Sequence, residues 1–126
     1  MANILIVEDS PDNMKLFRTL LTLKGHVITG LSGGEELFAT LSAERPDLVL
    51  MDIQMPGKDG YALLAELRAS EFSNLRIIAL TAHAMSGDRA KAMSAGFDGY
   101  ITKPIDIREF PEQVRMALEG GSPQDG

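Results

Sequence analysis

Short runs of purely apolar residues alternate along this chain with longer stretches in which apolar side chains return every three or four positions. Ile4-Leu-Ile-Val7 is a run of strand-favouring residues that stops at Glu8-Asp9. Ser10-Pro11-Asp12 reads as a helix start: an N-cap serine, proline at the first helical position and an acid in the first turn. Met14, Phe17, Leu20, Leu21 and Leu23 follow at helical spacing, and Gly25 closes the segment. The alternation predicts further strands over His26–Leu31, Asp47–Met51, Arg76–Leu80 and Gly99–Thr102. It predicts helices over Glu35–Glu44, with Leu37, Phe38 and Leu41 inward and Glu35 and Glu36 in the first turn, over Tyr61–Ala69, and over Asp88–Ala95, stopped by Gly96. A last helix, capped by Asp106, carries Ile107, Phe110, Val114, Met116 and Leu118.

Five β–α units of this kind imply an α/β fold. The third and fourth strands are apolar on both faces, which requires helices on both sides of a parallel sheet. Right-handed crossovers then give a doubly wound, flavodoxin-like architecture of five strands and five helices, with strand order 2-1-3-4-5. One domain over residues 1–119 is expected, and the Gly- and Ser-containing stretch 120–126, with nothing to bury, is expected to be a disordered tail.

Composition narrows the chemistry. The 126 residues carry 12 Lys and Arg against 18 Asp and Glu, a formal charge of −6, which disfavours binding to a phosphate backbone, so no nucleic acid is expected as a partner. With no Cys and two His, thiolate chemistry and Cys- or His-rich metal sites are excluded. The N-terminus has neither the basic start nor the long apolar stretch of a signal peptide, and no run approaches the ~18 apolar residues of a membrane span. A cytoplasmic protein with no membrane partner is expected, and Met1 directly before the first strand suggests a free-standing one.

In a doubly wound sheet, ligands bind beyond the carboxyl ends of the strands. Glu8 and Asp9 follow strand one, Asp52 follows strand three, Thr81 strand four and Lys103 strand five. The expected strand order brings all five around one crevice. Each close pair of carboxylates costs about 1–4 kcal/mol at 4 Å, depending on the effective dielectric, and one lysine cannot offset three acids. Either a carboxyl stays protonated or a hard cation sits there. Oxygen donors alone favour Mg²⁺, with Mn²⁺ able to stand in. An ionised aspartate beside a cation, a hydroxyl and an ammonium suits phosphoryl transfer through an acyl phosphate.

Leu5-Ile-Val-Glu-Asp9, Leu50-Met-Asp-Ile-Gln-Met-Pro56, Gly60, Ala79-Leu-Thr-Ala82 and Tyr100-Ile-Thr-Lys-Pro104 together resemble the CheY-like receiver domains of bacterial two-component response regulators. The motifs span essentially the whole chain in that family's order. The resemblance implies Asp52 as phosphoacceptor, and Glu8, Asp9, Asp52 and the carbonyl of Gln54 as metal ligands. It implies Thr81 and Lys103 as phosphoryl-binding groups, a Thr81–Tyr100 switch, and a cis Lys103–Pro104 bond. Gln54 and His83 would tune the phosphate's lifetime. Implied partners are a sensor histidine kinase or a histidine phosphotransferase as donor, and a downstream protein docking on helix four, strand five and helix five. The segments 8–17 and 81–88 look most similar to single-domain cell-cycle regulators of the DivK kind; receiver modules excised from hybrid kinases look similar too.

Taken singly, each residue has an ordinary explanation: a solvated acid pair, a strand threonine, a surface lysine, a buried tyrosine, a loop histidine at position 83. Their convergence on one edge is what calls for a function. His26 reads as a strand-edge histidine, and Met51, Met55 and Met85 as packing residues. A phosphatase of the haloacid dehalogenase kind would need an acid two residues after Asp52, where Gln54 stands, and a cap domain. A flavin carrier on the same fold would need aromatic rings to sandwich its cofactor, and this chain has no Trp and only Tyr61 and Tyr100. The intact acid cluster and Lys103 argue against an unphosphorylated scaffold.

Overall fold

The computed structural model describes residues 2–53, 60–82 and 86–120, those of 86–89 as backbone. Five strands, β1 (Asn3–Val7), β2 (Val27–Leu31), β3 (Leu48–Asp52), β4 (Ile77–Thr81) and β5 (Gly99–Thr102), alternate with five helices. These are α1 (Pro11–Thr22), α2 (Leu37–Glu44), α3 (Gly60–Arg68), α4 (Ser86–Ala95) and α5 (Phe110–Leu118). All pairings are parallel, in the order β2-β1-β3-β4-β5. The fold is the doubly wound, flavodoxin-like α/β architecture that the alternation of patterns implies.

The period of two along each strand divides the core. Leu5, Val7, Val49, Met51, Ile77, Ala79 and Tyr100 pack with Leu37, Leu41, Leu63, Leu64, Leu67, Ala92 and Phe97 beneath α2, α3 and α4. Ile4, Ile6, Leu48, Leu50, Ile78, Leu80 and Ile101 pack with Phe17, Leu21, Phe110, Val114 and Ala117 beneath α1 and α5. Across the α1–α5 contact, the Phe17 and Phe110 rings lie 5.2 Å apart, centroid to centroid. Every residue of β3 and β4 is buried, which is why those runs are apolar on both faces.

Several boundaries differ from the sequence reading. β3 and β4 each start and end one residue later than predicted, so Asp52 and Thr81 are the last residues of their strands. α2 starts at Leu37, leaving Glu35 and Glu36 exposed ahead of it rather than in its first turn. α4 begins at Ser86, before Asp88. Asp106 caps a turn instead of α5: its Oδ1 accepts the Arg108 and Glu109 N–H groups at 2.8 and 3.1 Å, and the helix starts only at Phe110. Ile107 therefore stands in the turn, 61% exposed, and Leu23 and Met116 are also exposed. The Ser10 cap holds: its Oγ accepts the Asn13 N–H at 3.3 Å, with Pro11 at the first helical position. The predicted tail lies outside the described residues beyond Gly120.

At the amino end of the sheet, Arg68 gathers several segments. Its guanidinium donates to the carbonyls of Ser73 (2.9 Å), Leu75 (2.6 Å) and Gly96 (2.8 Å) and to Asp98 Oδ2 (2.9 Å). The same Asp98 oxygen accepts the Ile77 N–H at 2.9 Å, so α3, the α3–β4 loop, the α4–β5 turn and the start of β4 share one polar hub. Among the described residues, no helix is long and apolar enough to cross a membrane.

Candidate functional site at the carboxyl edge

The register decides which side chains meet. Val7 lies opposite Met51, so Glu8, the residue after β1, comes beside Asp52 at the end of β3. Thr81 ends β4 opposite Thr102 of β5, and the next N–H, that of Lys103, donates to the Thr81 carbonyl at 2.7 Å. The Lys103–Pro104 bond is cis, as the family resemblance implies.

Glu8, Asp9 and Asp52 each offer a carboxylate oxygen within 4.8 Å of the others. Glu8 and Asp52 are buried, each 1% exposed, whereas Asp9 is open to solvent. Lys103 Nζ bridges the two buried acids, 3.1 Å from Glu8 Oε1 and 3.2 Å from Asp52 Oδ2. The other Glu8 oxygen accepts the Ser10 N–H at 3.1 Å, at the amino end of α1. Burial raises the Glu8 pKa above the ordinary carboxylate value and Asp52 adds to the rise. The Ser10 amide and the Lys103 ammonium pull the other way without cancelling it. For Lys103, burial lowers the pKa, but the hydrogen bond to Glu8 and the charges of Asp52 and Glu8 outweigh it, and the net shift is upward. The ammonium is thus held charged against both acids.

Three carboxylates against one ammonium leave a deficit of positive charge in a partly buried crevice. The donor set is oxygen only, and its outermost member, Asp9, faces solvent. These residues fit a hard divalent cation such as Mg²⁺, which takes a few carboxylates and keeps several of its waters.

Two further residues shape the crevice. A Cβ on Gly60, the first residue of α3, would come within 2.8 Å of the Asp52 carbonyl oxygen and of Ile53 Cα. Only glycine lets α3 begin this close to the end of β3, where its N–H donates to the Ile53 carbonyl at 3.0 Å. Tyr100 lies opposite Ala79 in β5 and is 5% exposed, its ring within the core beneath α2, α3 and α4. Thr81, two residues along β4 from Ala79, lies on that same face of the sheet and is also 5% exposed.

Glu8, Asp9, Asp52, Thr81 and Lys103 therefore all lie at one edge. Gln54 and His83, and with them Met55 and Met85, lie outside the described residues. His26 is remote, just ahead of β2 at the amino end, where its Nδ1 accepts the Ala2 N–H at 3.2 Å. The sequence reading gave Ser10 only a capping role and missed its amide on Glu8. Its place two residues after a strand-end acid, at a helix start, was the available signal.

A doubly wound parallel sheet thus carries an acid trio and a bridging lysine at its carboxyl edge. Residues 4–115 match the response regulator receiver domain, and the chain belongs to that family. It is 38% identical to the polar-differentiation response regulator DivK of Brucella anthropi, over 92% of this chain and 95% of that protein. It is 39% identical to the sensor protein GacS of Pseudomonas syringae over 96% of this chain, but spans only 14% of GacS. Among solved structures, it superimposes with a TM-score of 0.83 on the receiver domain of a sensor histidine kinase from Pseudomonas aeruginosa, crystallised with a magnesium ion in its active site cleft. The identity there is 34%, over 94% of this chain and 98% of that one.

Proposed function

We propose that this receiver domain is a phosphoacceptor switch of a two-component phosphorelay, with Asp52 taking a phosphoryl group from the histidine of a sensor kinase or phosphotransferase. The observation that carries this reading is the Lys103 ammonium placed on both buried carboxylates, Glu8 and Asp52, beside the solvent-facing Asp9. An Asp52 oxygen attacks phosphorus; the new O–P bond forms as the N–P bond of the phosphohistidine breaks, and the imidazole nitrogen keeps the electron pair. Glu8, Asp9 and Asp52, with the Gln54 carbonyl, would hold Mg²⁺, or Mn²⁺ in its stead, and the ion would neutralise charge on the phosphoryl oxygens. Lys103 stays protonated and pairs with a phosphoryl oxygen, and the Thr81 hydroxyl donates to another. That shift of Thr81, on the face it shares with Tyr100, alters the packing beneath α4 and so the α4–β5–α5 face offered to a downstream protein. Gln54 and His83, which lie outside the described residues, would tune the lifetime of the acyl phosphate, as the family resemblance implies.

On this reading the protein accepts and loses phosphate and is not an enzyme with a separate substrate, and it works in the cytoplasm. The matches place such a domain in two settings, the regulator DivK and a stretch of the sensor protein GacS, so a module of a hybrid kinase stands as a second reading. The test is incubation with phosphoramidate and Mg²⁺ followed by intact-protein mass. One added phosphate on the wild type and none on Asp52→Asn is expected; phosphate on both overturns the assignment.

A further inference from the structure

Among the residues of α4 whose side chains are described, 90–95, only Ala92 is buried and Met93 half-buried, so the apolar grip on this part of the helix is small. α5, by contrast, buries Phe110, Gln113, Val114 and Ala117. Two attachments of another kind hold α4. At its carboxyl end, the Gly96 carbonyl accepts two N–H groups of the Arg68 guanidinium, at 2.8 and 3.1 Å, which pins that end to α3. Midway along the helix, the Lys91 ammonium lies over the Tyr61 ring of α3, 4.7 Å from its centroid, within the ~6 Å reach of a cation–π contact. The ring is held in place: it packs half-buried against the core beneath α2, α3 and α4, and the buried Phe97 ring meets it edge-on with centroids 5.8 Å apart. Tyr61 also follows Gly60, whose N–H donates to the carbonyl of Ile53, the residue after Asp52. The ring is thereby fixed to the end of the strand that carries Asp52, and the ammonium to α4.

We propose that the Lys91–Tyr61 contact is a latch: it holds α4 in its resting place, and its opening lets α4 swing about the carboxyl end that Arg68 pins. The proposal rests on the phosphoacceptor reading of Asp52 and adds to it the contact that sets how readily the resting state is left. Relative strengths decide which attachment yields. An exposed cation–π contact biases an equilibrium by a factor of about two to five, enough to tilt two close-lying states and too little to lock either. The Arg68 hydrogen bonds are charge-assisted and partly buried, and Arg68 is paired with Asp98 as well, so they outlast it. Tyr61 rides on the strand end that carries Asp52, and Lys91 on the helix beneath which Tyr100 lies, so a displacement between these two parts breaks the latch first. The swung state is the one that takes phosphate, and its population sets the rate.

The test compares the wild type with Lys91→Met, which keeps an apolar stem and drops the charge, and with Lys91→Arg, which keeps a cation able to stack on a ring. Lys91 is exposed, so neither change disturbs the core. Hydrogen exchange of the α4 amides, read by mass spectrometry without phosphate, reports on the latch. The rate at which phosphoramidate and Mg²⁺ modify Asp52, read by intact-protein mass, reports on the switch. Lys91→Met is expected to raise both rates about two- to fivefold, and Lys91→Arg to leave both near the wild-type values. In a Tyr61→Leu background, Lys91→Met is expected to change neither. Unchanged exchange in Lys91→Met, equal acceleration in Lys91→Met and Lys91→Arg, or a full Lys91→Met effect without the Tyr61 ring overturns the proposal. So does faster exchange with an unchanged phosphorylation rate. Failure of the wild type itself to take phosphate overturns the phosphoacceptor reading instead, and the exchange rates still decide the latch.

Discussion

Lys103 is tied to Thr81 through its backbone, its N–H donating to the Thr81 carbonyl at 2.7 Å, while its side chain reaches back across the sheet to Asp52. One residue therefore fixes the spacing of the β4 and β5 ends and supplies the site's ammonium. Removing that ammonium leaves two buried carboxylates facing each other. In EDTA at pH 7, Lys103→Met is expected to lower the unfolding free energy by about 3 kcal/mol, as measured by urea denaturation. Because burial and Asp52 already raise the Glu8 pKa, that acid takes up a proton readily, and the loss is expected to shrink toward pH 5. A pH-independent loss counts against the electrostatic account.

The deficit of positive charge predicts a stabilising cation. Mg²⁺ at a hundredfold excess over its dissociation constant is expected to stabilise the wild type by about 2.7 kcal/mol and to raise its melting temperature, and EDTA to reverse this. In Asp9→Asn the Mg²⁺-dependent rise is expected to fall by more than half. Thermal melts with and without the ion check both.

Gly60→Ala is a steric test. The added Cβ would press on the Asp52 carbonyl oxygen and Ile53 Cα, both backbone atoms that cannot swing aside. A loss of about 1–3 kcal/mol by urea denaturation is expected, where alanine at an ordinary exposed helix position would add stability. Slower phosphorylation of Asp52 is expected to accompany it, as the end of β3 shifts.

His26 gives the acid limb of stability. Burial lowers its pKa below the ordinary histidine value, and its Nδ1 is occupied by the Ala2 N–H, a bond that protonation would break. The unfolded chain therefore binds the proton more readily than the folded one, so the contribution is present above the unfolded-state pKa of about 6.5 and is lost as pH falls through the folded-state value. Urea midpoints of the wild type are expected to decline between pH 7 and 5 more steeply than those of His26→Gln.

The strands and the site were legible in the sequence for the same reason. β3 and β4, buried on both faces, can only be apolar runs, and the first polar residue at the end of such a run must lie at the sheet's edge; hence Asp52 and Thr81. The starts of α2 and α5 were less legible. Ile107 and Phe110 stand at helical spacing, but a capped turn accommodates the same spacing, and the pattern does not say that Ile107 faces solvent. Nor could spacing reveal that Lys103 would straddle Glu8, 95 positions away in the chain, or that the Ser10 amide would hold the other oxygen of the same carboxylate.

The hub around Arg68 has a thermodynamic corollary. A single guanidinium that closes the end of α3, the loop after it, the α4–β5 turn and, through Asp98, the first amide of β4 leaves those pieces no cheap way to fray one at a time. In hydrogen exchange, the amides of α3, β4 and β5 should open together as one foldon, with a common free energy.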